Sequence, residues 1–122
     1  MQRVKDLMTK KVVTIPEDMR IDKICCVLSN NSLSGVPVVN AKNKLVGFVS
    51  ESDIISGIAS GGYFDTKAKD IMCKKITTIT ENDLMGQVSK IFASNPFRHL
   101  PVLKKGEVVG VISRRDVIKK LI

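Results

Sequence analysis

The sequence predicts a mixed α/β (α+β) fold in which one small unit occurs twice. The stretch 47–53 (GFVSESD) reappears as 110–116 (GVISRRD), and the DLM step at 6–8 reappears as DIM at 70–72. These matches keep an offset of about 64 positions, and a fixed offset is the signature of an internal repeat. The apolar residues also switch between strand-like and helix-like spacing in the same order in both copies. We therefore expect two β-α-β-β-α units in one chain.

Each unit is expected to open with a short extended run and a helix. The extended runs are 12–15 and 76–79, and turn-forming residues close both of them. Apolar residues then recur at helical spacing, which predicts an amphipathic helix in each copy. The two stripes consist of Ile21, Ile24, Cys25 and Leu28, and of Leu84, Val88, Ile91 and Phe92. Cys25 is thus placed on an apolar face, where a thiol behaves as a small hydrophobe.

Two β-rich runs and a final helix complete each unit. The runs pair as 36–40 with 45–50 and as 100–104 with 108–113, and the polar turns between them predict hairpins. The closing helices carry apolar stripes at Ile54, Ile55 and Ile58, and at Val117, Ile118 and Leu121. Neither copy has a stripe wide enough for a core of its own, so we expect residues 1–62 and 63–122 to pack face to face. Tyr63 and Phe64 are expected to pin the linker between the copies.

Composition favours a soluble globular protein of the cytoplasm. The 122 residues are 43% hydrophobic and 26% charged, and no stretch approaches the roughly 18 apolar residues of a membrane span. The amino terminus lacks the apolar segment of a secretory signal, so a cytoplasmic location is expected. Cys25, Cys26 and Cys73 are odd in number and lack CxxC spacing, which favours reduced thiols over disulfides or a metal site.

The net charge of +8 is concentrated in the second copy. Residues 1–62 carry a net charge of +2, and residues 63–122 carry +6. Excess positive charge attracts anions, so a nucleic-acid-binding accessory protein is the alternative function. Against it, the sequence has no aromatic-studded RNA-binding strand and no helix-turn-helix signature. A single histidine and the lack of GxSxG, Walker or metal-spaced motifs argue against an enzyme, so no catalytic residue is predicted.

A serine followed three residues later by an aspartate forms the candidate site in each copy. Ser50 with Asp53, and Ser113 with Asp116, lie where a strand is predicted to turn into a helix. A helix start stabilises a bound anion such as phosphate, and the aspartate can accept hydrogen bonds from both hydroxyls of a ribose. The same spacing also fits a helix capping box, a structural role worth about 1 kcal/mol. The residues alone leave both interpretations open.

The tandem pattern resembles a pair of cystathionine-β-synthase (CBS) domains, also called a Bateman module. The resemblance covers nearly the whole chain and is carried by DLM and DIM, VVTI and ITTI, SGVPVV and RHLPVL, and GFVSESD and GVISRRD. It implies two repeats that pack through their sheets with pseudo-twofold symmetry, and clefts between them for an adenine-containing ligand such as AMP, ATP or S-adenosylmethionine. It also implies a stand-alone regulatory module that signals by conformational change and requires no cofactor.

The resemblance assigns roles to individual residues of this sequence. Asp53 and Asp116 would bind the ribose hydroxyls, and Ser50 and Ser113 would lie at the ribose-phosphate region. Basic side chains just before LPV would hold phosphate, here Arg98 and His99, with Arg114 beside them. The expected walls of the base pocket are Thr14, Ile15, Val36 and Pro37 in the first copy, and Thr78, Ile79, Leu100 and Pro101 in the second.

The two copies differ in charge around this site. Ser34-Gly35 stands where the second copy has Arg98-His99, and Glu51-Ser52 stands where it has Arg114-Arg115. Bidentate arginine contacts favour phosphate, whereas a glutamate opposes it. We therefore expect the second site to take the phosphate-bearing ligand. The first site is expected to take a less charged adenosine ligand or to stay empty.

The resemblance also implies protein partners. CBS pairs often dimerise through their helices, so a homodimer is expected, and the apolar Leu121 and Ile122 would be covered in it. Because the chain holds no catalytic motif, any regulated activity is expected to reside in a separately encoded protein.

Overall fold

The computed structural model describes residues 2–61 and 65–120. A 3-10 turn at Val4–Asp6 precedes the first strand. The strands are β1 (Ile15–Pro16), β2 (Gly35–Val39), β3 (Leu45–Ser50), β4 (Ile79–Thr80), β5 (His99–Lys104) and β6 (Glu107–Ser113). The helices are α1 (Ile21–Asn30), α2 (Glu51–Ala59), α3 (Ala68–Ile71), α4 (Met85–Ser94) and α5 (Arg114–Lys119). The expectations for Tyr63, Phe64, Leu121 and Ile122 lie outside the described residues.

The strands form two three-stranded sheets of identical topology, β1-β2-β3 and β4-β5-β6. In each sheet the first strand runs parallel to the second, and the second pairs antiparallel with the third. The mixed α/β fold and both hairpins are thus confirmed. The two opening strands are shorter than the extended runs that the sequence predicts. Within each predicted run only the last residue pairs with the central strand, Ile15 with Val38 and Ile79 with Val102.

The chain divides into two compact units that exchange their opening segments. One unit is Val13–Ile76, and the other joins Met1–Val12 to Thr77–Ile122. The start of the second sequence copy, including α3, therefore packs with the first sheet, and the start of the first copy packs with the second sheet. The repeat boundary between residues 62 and 63 stays a prediction about the sequence pattern.

Each unit has its own apolar core, to which α1, α2, α3 and α4 each contribute at least one buried side chain. The core of Val13–Ile76 consists of Ile15, Ile21, Ile24, Leu28, Val36, Val38, Val49, Ile54 and Ala68. The core of the other unit consists of Val4, Ile79, Val88, Phe92, Leu100, Val102 and Ile112. Ala68 and Val4 come from the exchanged segments and are both fully buried. The exchanged segments are therefore part of the cores that stabilise the units.

A methionine from each exchanged segment covers a glycine of the hairpin. A Cβ atom at Gly47 would lie 2.7 Å from Met72 Cγ, and one at Gly110 would lie 3.0 Å from Met8 Cγ. Paired backbone hydrogen bonds between Phe48 and Cys73, of 3.0 and 2.9 Å, hold the segment against β3. The absence of a side chain at these two glycines is what lets the methionines pack so closely on the sheet.

Four apolar residues placed on buried faces by their spacing are exposed instead. Cys25 is exposed although Ile21, Ile24 and Leu28 of the same stripe are buried. Those three side chains fill the contact with the sheet and leave Cys25 at the edge of the stripe. Partial burial of the sulfur nevertheless raises the pKa of the Cys25 thiol. Ile55 and Ile58 of α2 are 67% and 43% exposed, and Ile118 of α5 is 61% exposed. The stripes of these two helices are therefore only partly buried within their units.

The described helices also bear on the membrane question. In the part of the chain that the structure describes, no helix has both the length and the apolar character needed to cross a bilayer.

An ion pair ties the exchanged segment to the turn before α1, and it predicts a pH effect. Lys69 Nζ lies 3.1 Å from Asp18 Oδ1, and its hydrogen bond and charge hold the pKa of Asp18 below its usual 3.8. A carboxyl with a lowered pKa stabilises the folded state above its unfolded pKa, and this contribution is lost as the pH falls. As the pH falls below about 4, we expect the free energy of unfolding to decrease less in Asp18→Asn than in wild type. Urea denaturation at a series of pH values measures this difference.

The effect of Asp18→Asn should be small, because both partners are exposed to solvent. Asp65→Asn is the control, since Asp65 is an exposed aspartate of the same unit. Equal acid slopes for wild type and Asp18→Asn would show that the ion pair contributes nothing to folding.

Candidate functional site

The junction between β3 and α2 is closed by a capping box. Ser50 is the extended N-cap residue of α2, and its Oγ accepts a hydrogen bond of 3.3 Å from the Asp53 amide. Asp53 Oδ2 in turn accepts from the Ser50 amide at 2.8 Å and from the Ser50 hydroxyl at 2.9 Å. The serine and the aspartate therefore satisfy backbone donors that the helix itself leaves unpaired.

The junction between β6 and α5 has the same arrangement. The Ser113 amide donates to Asp116 Oδ2 at 2.8 Å, and the Asp116 amide donates to Ser113 Oγ at 3.2 Å. The capping role that the sequence left open is thus realised in both copies. Two junctions of the same geometry, one in each unit, form the candidate site.

Capping does not use all the hydrogen-bonding capacity of the two aspartates. Every hydrogen bond that Asp53 and Asp116 accept within the described residues goes to Oδ2, which leaves Oδ1 of each carboxylate without a donor there. Both residues are half-buried, and within the described residues neither Oδ1 is a fully buried atom without a partner. Because a carboxylate can accept several hydrogen bonds, the cap and a ligand hydroxyl can share one aspartate.

The residues predicted to wall the base pocket fall into two groups. The side chains of Ile15, Val36, Ile79 and Leu100 belong to the apolar cores. Of the other four, Thr14 is half-buried, Thr78 is exposed, and Pro37 and Pro101 are buried in the central strands. Continuing the β1–β2 register by one residue places Thr14 beside Pro37. The same register in the second sheet places Thr78 beside Pro101.

The pairing register brings the start of the central strand to the Ser/Asp junction. Gly35 pairs directly with Ser50, and His99 pairs directly with Ser113. The amide of Glu51 donates to Ser34 O at 3.1 Å, and the amide of Arg114 donates to Arg98 O at the same distance. The structure therefore brings Arg98 and His99 next to the Ser113–Asp116 step, with Ser34 and Gly35 in the equivalent place of the other unit.

An aromatic ring distinguishes the first junction from the second. A Cβ atom at Gly35 would lie 2.5 Å from Cε1 and 3.0 Å from Cζ of Phe48. Phe48 pairs with Pro37, and its counterpart Val111 pairs with Pro101. Phe48 thus covers the place where the second copy carries the side chain of His99. The residue-by-residue difference between Phe48 and Val111 was visible in the sequence, but its meaning depends on the contact with Gly35.

Arg114 has a structural role that the sequence did not indicate. Its Nη2 donates to the carbonyl oxygens of Phe92 at 2.8 Å and Asn95 at 2.6 Å, and its Nε donates to Phe97 O at 3.0 Å. The guanidinium carbon also lies 5.6 Å from the centroid of the Phe92 ring. Arg114 therefore satisfies carbonyls at the carboxyl end of α4, where a positive charge is favourable. Its predicted contact with phosphate stays a prediction.

We expect Arg114→Ala to lower the free energy of unfolding by about 1 to 2 kcal/mol, because charged hydrogen bonds to carbonyls are lost. Arg114→Lys should retain only part of the stability that Arg114→Ala loses, since an ammonium group cannot make the several contacts of a planar guanidinium. Urea denaturation measures both variants. Arg115→Ala is the matched control on the neighbouring exposed arginine, and an equal loss there would contradict a specific role for Arg114.

The charge is more uneven between the packing units than between the sequence halves. The unit formed by Met1–Val12 and Thr77–Ile122 holds 12 Lys and Arg against 5 Asp and Glu, a net charge of +7. Val13–Ile76 holds 8 against 7, a net charge of +1. The Ser113–Asp116 junction thus lies in a far more positive unit than the Ser50–Asp53 junction.

Two sheets of one topology, each ending in a Ser/Asp helix start, define a tandem-repeat protein with a duplicated candidate ligand site. The CBS domain family model matches residues 4–60 and 68–122. The chain belongs to the CBS domain family, as the sequence resemblance predicted.

Solved structures of CBS pairs share this fold. The CBS domain pair of protein MJ0100, in complex with 5′-methylthioadenosine and S-adenosyl-L-methionine, aligns with a TM-score of 0.91 at 22% identity, covering 99% of this chain and 96% of that chain. CBSX2 in complex with AMP aligns with a TM-score of 0.87 at 21% identity, covering 99% and 96%. The CBS-domain protein ATU1752 from Agrobacterium tumefaciens aligns with a TM-score of 0.88 at 29% identity, covering 98% and 93%.

Two relatives show how this chain compares in length. The uncharacterized protein MJ1225 of Methanocaldococcus jannaschii is 28% identical over 118 residues, covering 97% of this chain but 42% of its own length. An uncharacterized 17.7 kDa protein of Acidianus ambivalens is 28% identical over 121 residues, covering 98% of this chain and 73% of its own length. The chain therefore spans less than half of one relative and nearly three quarters of the other.

Proposed function

We propose that this protein is a regulatory module that binds an adenine nucleotide or adenosyl compound at its Ser/Asp junctions. The observation that carries the proposal is the duplicated helix start, at which Asp53 and Asp116 keep one carboxylate oxygen without a donor in the described structure. A half-buried acceptor beside a helix start suits a ribose whose 5′ substituent lies near the helix. The complexes of the MJ0100 pair and of CBSX2 with adenosine derivatives support this ligand class.

The proposed mechanism is a shift between two conformations of the module. A ligand moves such an equilibrium only by its difference in affinity for the two states, and a coupling of about 1 to 3 kcal/mol is typical. In this mechanism the regulated partner is a separately encoded protein of the cytoplasm. The module itself performs no catalysis.

We also propose that the module acts as a homodimer. Ile55 and Ile58 are 67% and 43% exposed on α2, and Ile118 is 61% exposed on α5. Exposed apolar side chains of this size favour burial against a second copy. Light scattering at high protein concentration measures the mass, and a monomer would refute the dimer.

A thermal-shift screen followed by calorimetry tests the ligand proposal. AMP, ATP and S-adenosylmethionine are added to the intact protein, and unfolding is followed by circular dichroism. A ligand present at a hundred times its Kd stabilises the folded state by about 2.7 kcal/mol, which raises the Tm by several degrees in a domain of this size. Failure of all three compounds to bind the folded protein by calorimetry would overturn the proposal.

A further inference from the structure

The same three backbone amides are paired at both junctions, so the backbone cannot decide which site takes a ligand with a phosphate. At the first junction the amide of Ser50 donates to Asp53, that of Glu51 to Ser34 O, and that of Asp53 to Ser50 Oγ. The second junction repeats all three bonds through its own residues. Any difference in phosphate affinity between the two sites must therefore come from their side chains.

The side chains beside the two junctions have opposite charge. Glu51 and Asp53 give the first junction two negative charges and no positive one. Arg98, Arg114 and Arg115 beside Asp116 give the second a net charge of +2 with His99 neutral. Even with the Arg114 donors directed at α4, its charge remains near the junction. A phosphate dianion is repelled by the first set and attracted by the second.

The Phe48 ring occupies the space that a side chain at position 35 would need in the first junction. Any side chain at position 35 would start 2.5 Å from Phe48 Cε1 and 3.2 Å from Val49 O. At the second junction the smaller Val111 replaces Phe48, and position 99 carries the imidazole. The first junction thus differs from the second in its packing as well as in its charge, and it has no basic side chain at position 35 or 51.

Resting on the proposed function, we infer that the Ser50–Asp53 site selects an adenosine ligand without a phosphate, neutral or cationic at its 5′ position, and that Phe48 and Glu51 determine this selectivity. The Ser113–Asp116 site takes the phosphorylated ligand. One chain therefore binds two adenosine compounds of different charge, one at each site.

Calorimetry with adenosine and AMP tests the inference, because these probes differ only in the phosphate. Asp116→Ala leaves the first site as the intact one, and there we expect AMP to bind at least tenfold more weakly than adenosine. Asp53→Ala leaves the second site, where AMP should bind at least as tightly as adenosine. Circular dichroism confirms that each variant is folded at the titration temperature.

Converting the first site gives a second test. In the Asp116→Ala background, Gly35→His with Phe48→Val and Glu51→Arg should raise the AMP affinity at least tenfold. Glu51→Gln alone, an exposed change that leaves the packing intact, should raise the affinity ratio of AMP to adenosine at least threefold. Asp65→Arg is the control, since it makes the same charge change as Glu51→Arg on an exposed residue of the same unit, outside the junction.

The possible failures are distinguishable. AMP binding as tightly as adenosine in Asp116→Ala, or an equal AMP gain from Asp65→Arg and Glu51→Arg, would overturn the inference and leave the proposed function standing. Failure of adenosine and AMP to bind wild-type protein, with ATP or S-adenosylmethionine still binding, would overturn the inference alone. Failure of all four compounds would overturn the proposed function as well.

Discussion

Asp116→Ala is expected to weaken AMP or ATP binding at least tenfold, about 1.4 kcal/mol. The carboxylate offers an acceptor oxygen beside the helix start that is not used by the cap within the described residues, and ribose hydroxyls are the donors it suits. Isothermal titration calorimetry measures the change directly. A weakening below threefold would show that the ribose is held elsewhere.

The control for this variant must separate ligand contact from helix capping. Asp6 accepts a hydrogen bond of 3.0 Å from the Arg3 amide, three residues earlier, in the same unit and outside the junction. Asp6→Ala therefore removes a comparable backbone contact without touching the site. We expect Asp6→Ala and Asp116→Ala to lower stability by similar amounts, about 1 kcal/mol, and only Asp116→Ala to weaken binding. Equal losses of affinity in both variants would attribute the effect to stability.

Gly47→Ala is expected to destabilise the fold by about 1 to 3 kcal/mol, the usual cost of overpacking. The new Cβ would lie 2.7 Å from Cγ and 3.0 Å from Cβ of Met72, atoms close to the backbone of the exchanged segment. Rotation of the methionine tip cannot relieve these contacts. Urea denaturation gives the free energy of unfolding.

A double-mutant cycle tests whether Met72 is the cause. Met72→Ala removes the clashing atoms, so the pair Gly47→Ala with Met72→Ala should be more stable than the sum of the single changes predicts. Gly86→Ala is the matched control, because a Cβ there meets nothing within 4 Å and alanine favours the helix. If the effects of the two changes on the free energy of unfolding are additive, Met72 is not the reason why position 47 requires glycine.

The features predicted correctly are those with a local cause. Both hairpins follow from β-rich apolar runs on either side of a polar turn. The stripe of Ile21, Ile24 and Leu28 follows from helical spacing. The capping box was also readable, because its partners are only three residues apart. Periodicity and short spacings therefore account for the elements and for the centre of the candidate site.

The features missed depend on contacts between distant residues. Cys25 fits the helical stripe, yet the space it would fill is already occupied by its neighbours in the stripe. The Arg114 side chain reaches a carbonyl 22 positions earlier in the chain, at Phe92, and the sequence gives no sign of that direction. The contact of Phe48 with Gly35 likewise depends on strand register. The exposure of Cys25, the contacts of Arg114 and the contact of Phe48 with Gly35 all depend on side-chain direction and long-range packing.

The exchange of opening segments sets an order in which the two units can be completed during synthesis. Val13–Ile76 is one continuous stretch, so all of its strands and its covering segment exist once residue 76 has been made. The other unit needs Val4 and Met8 from the start of the chain and Gly110 from near its end. Its opening segment must therefore wait, without its sheet, until β6 has emerged from the ribosome. Because domains fold as units during synthesis, Val13–Ile76 is the part of the protein that can fold first.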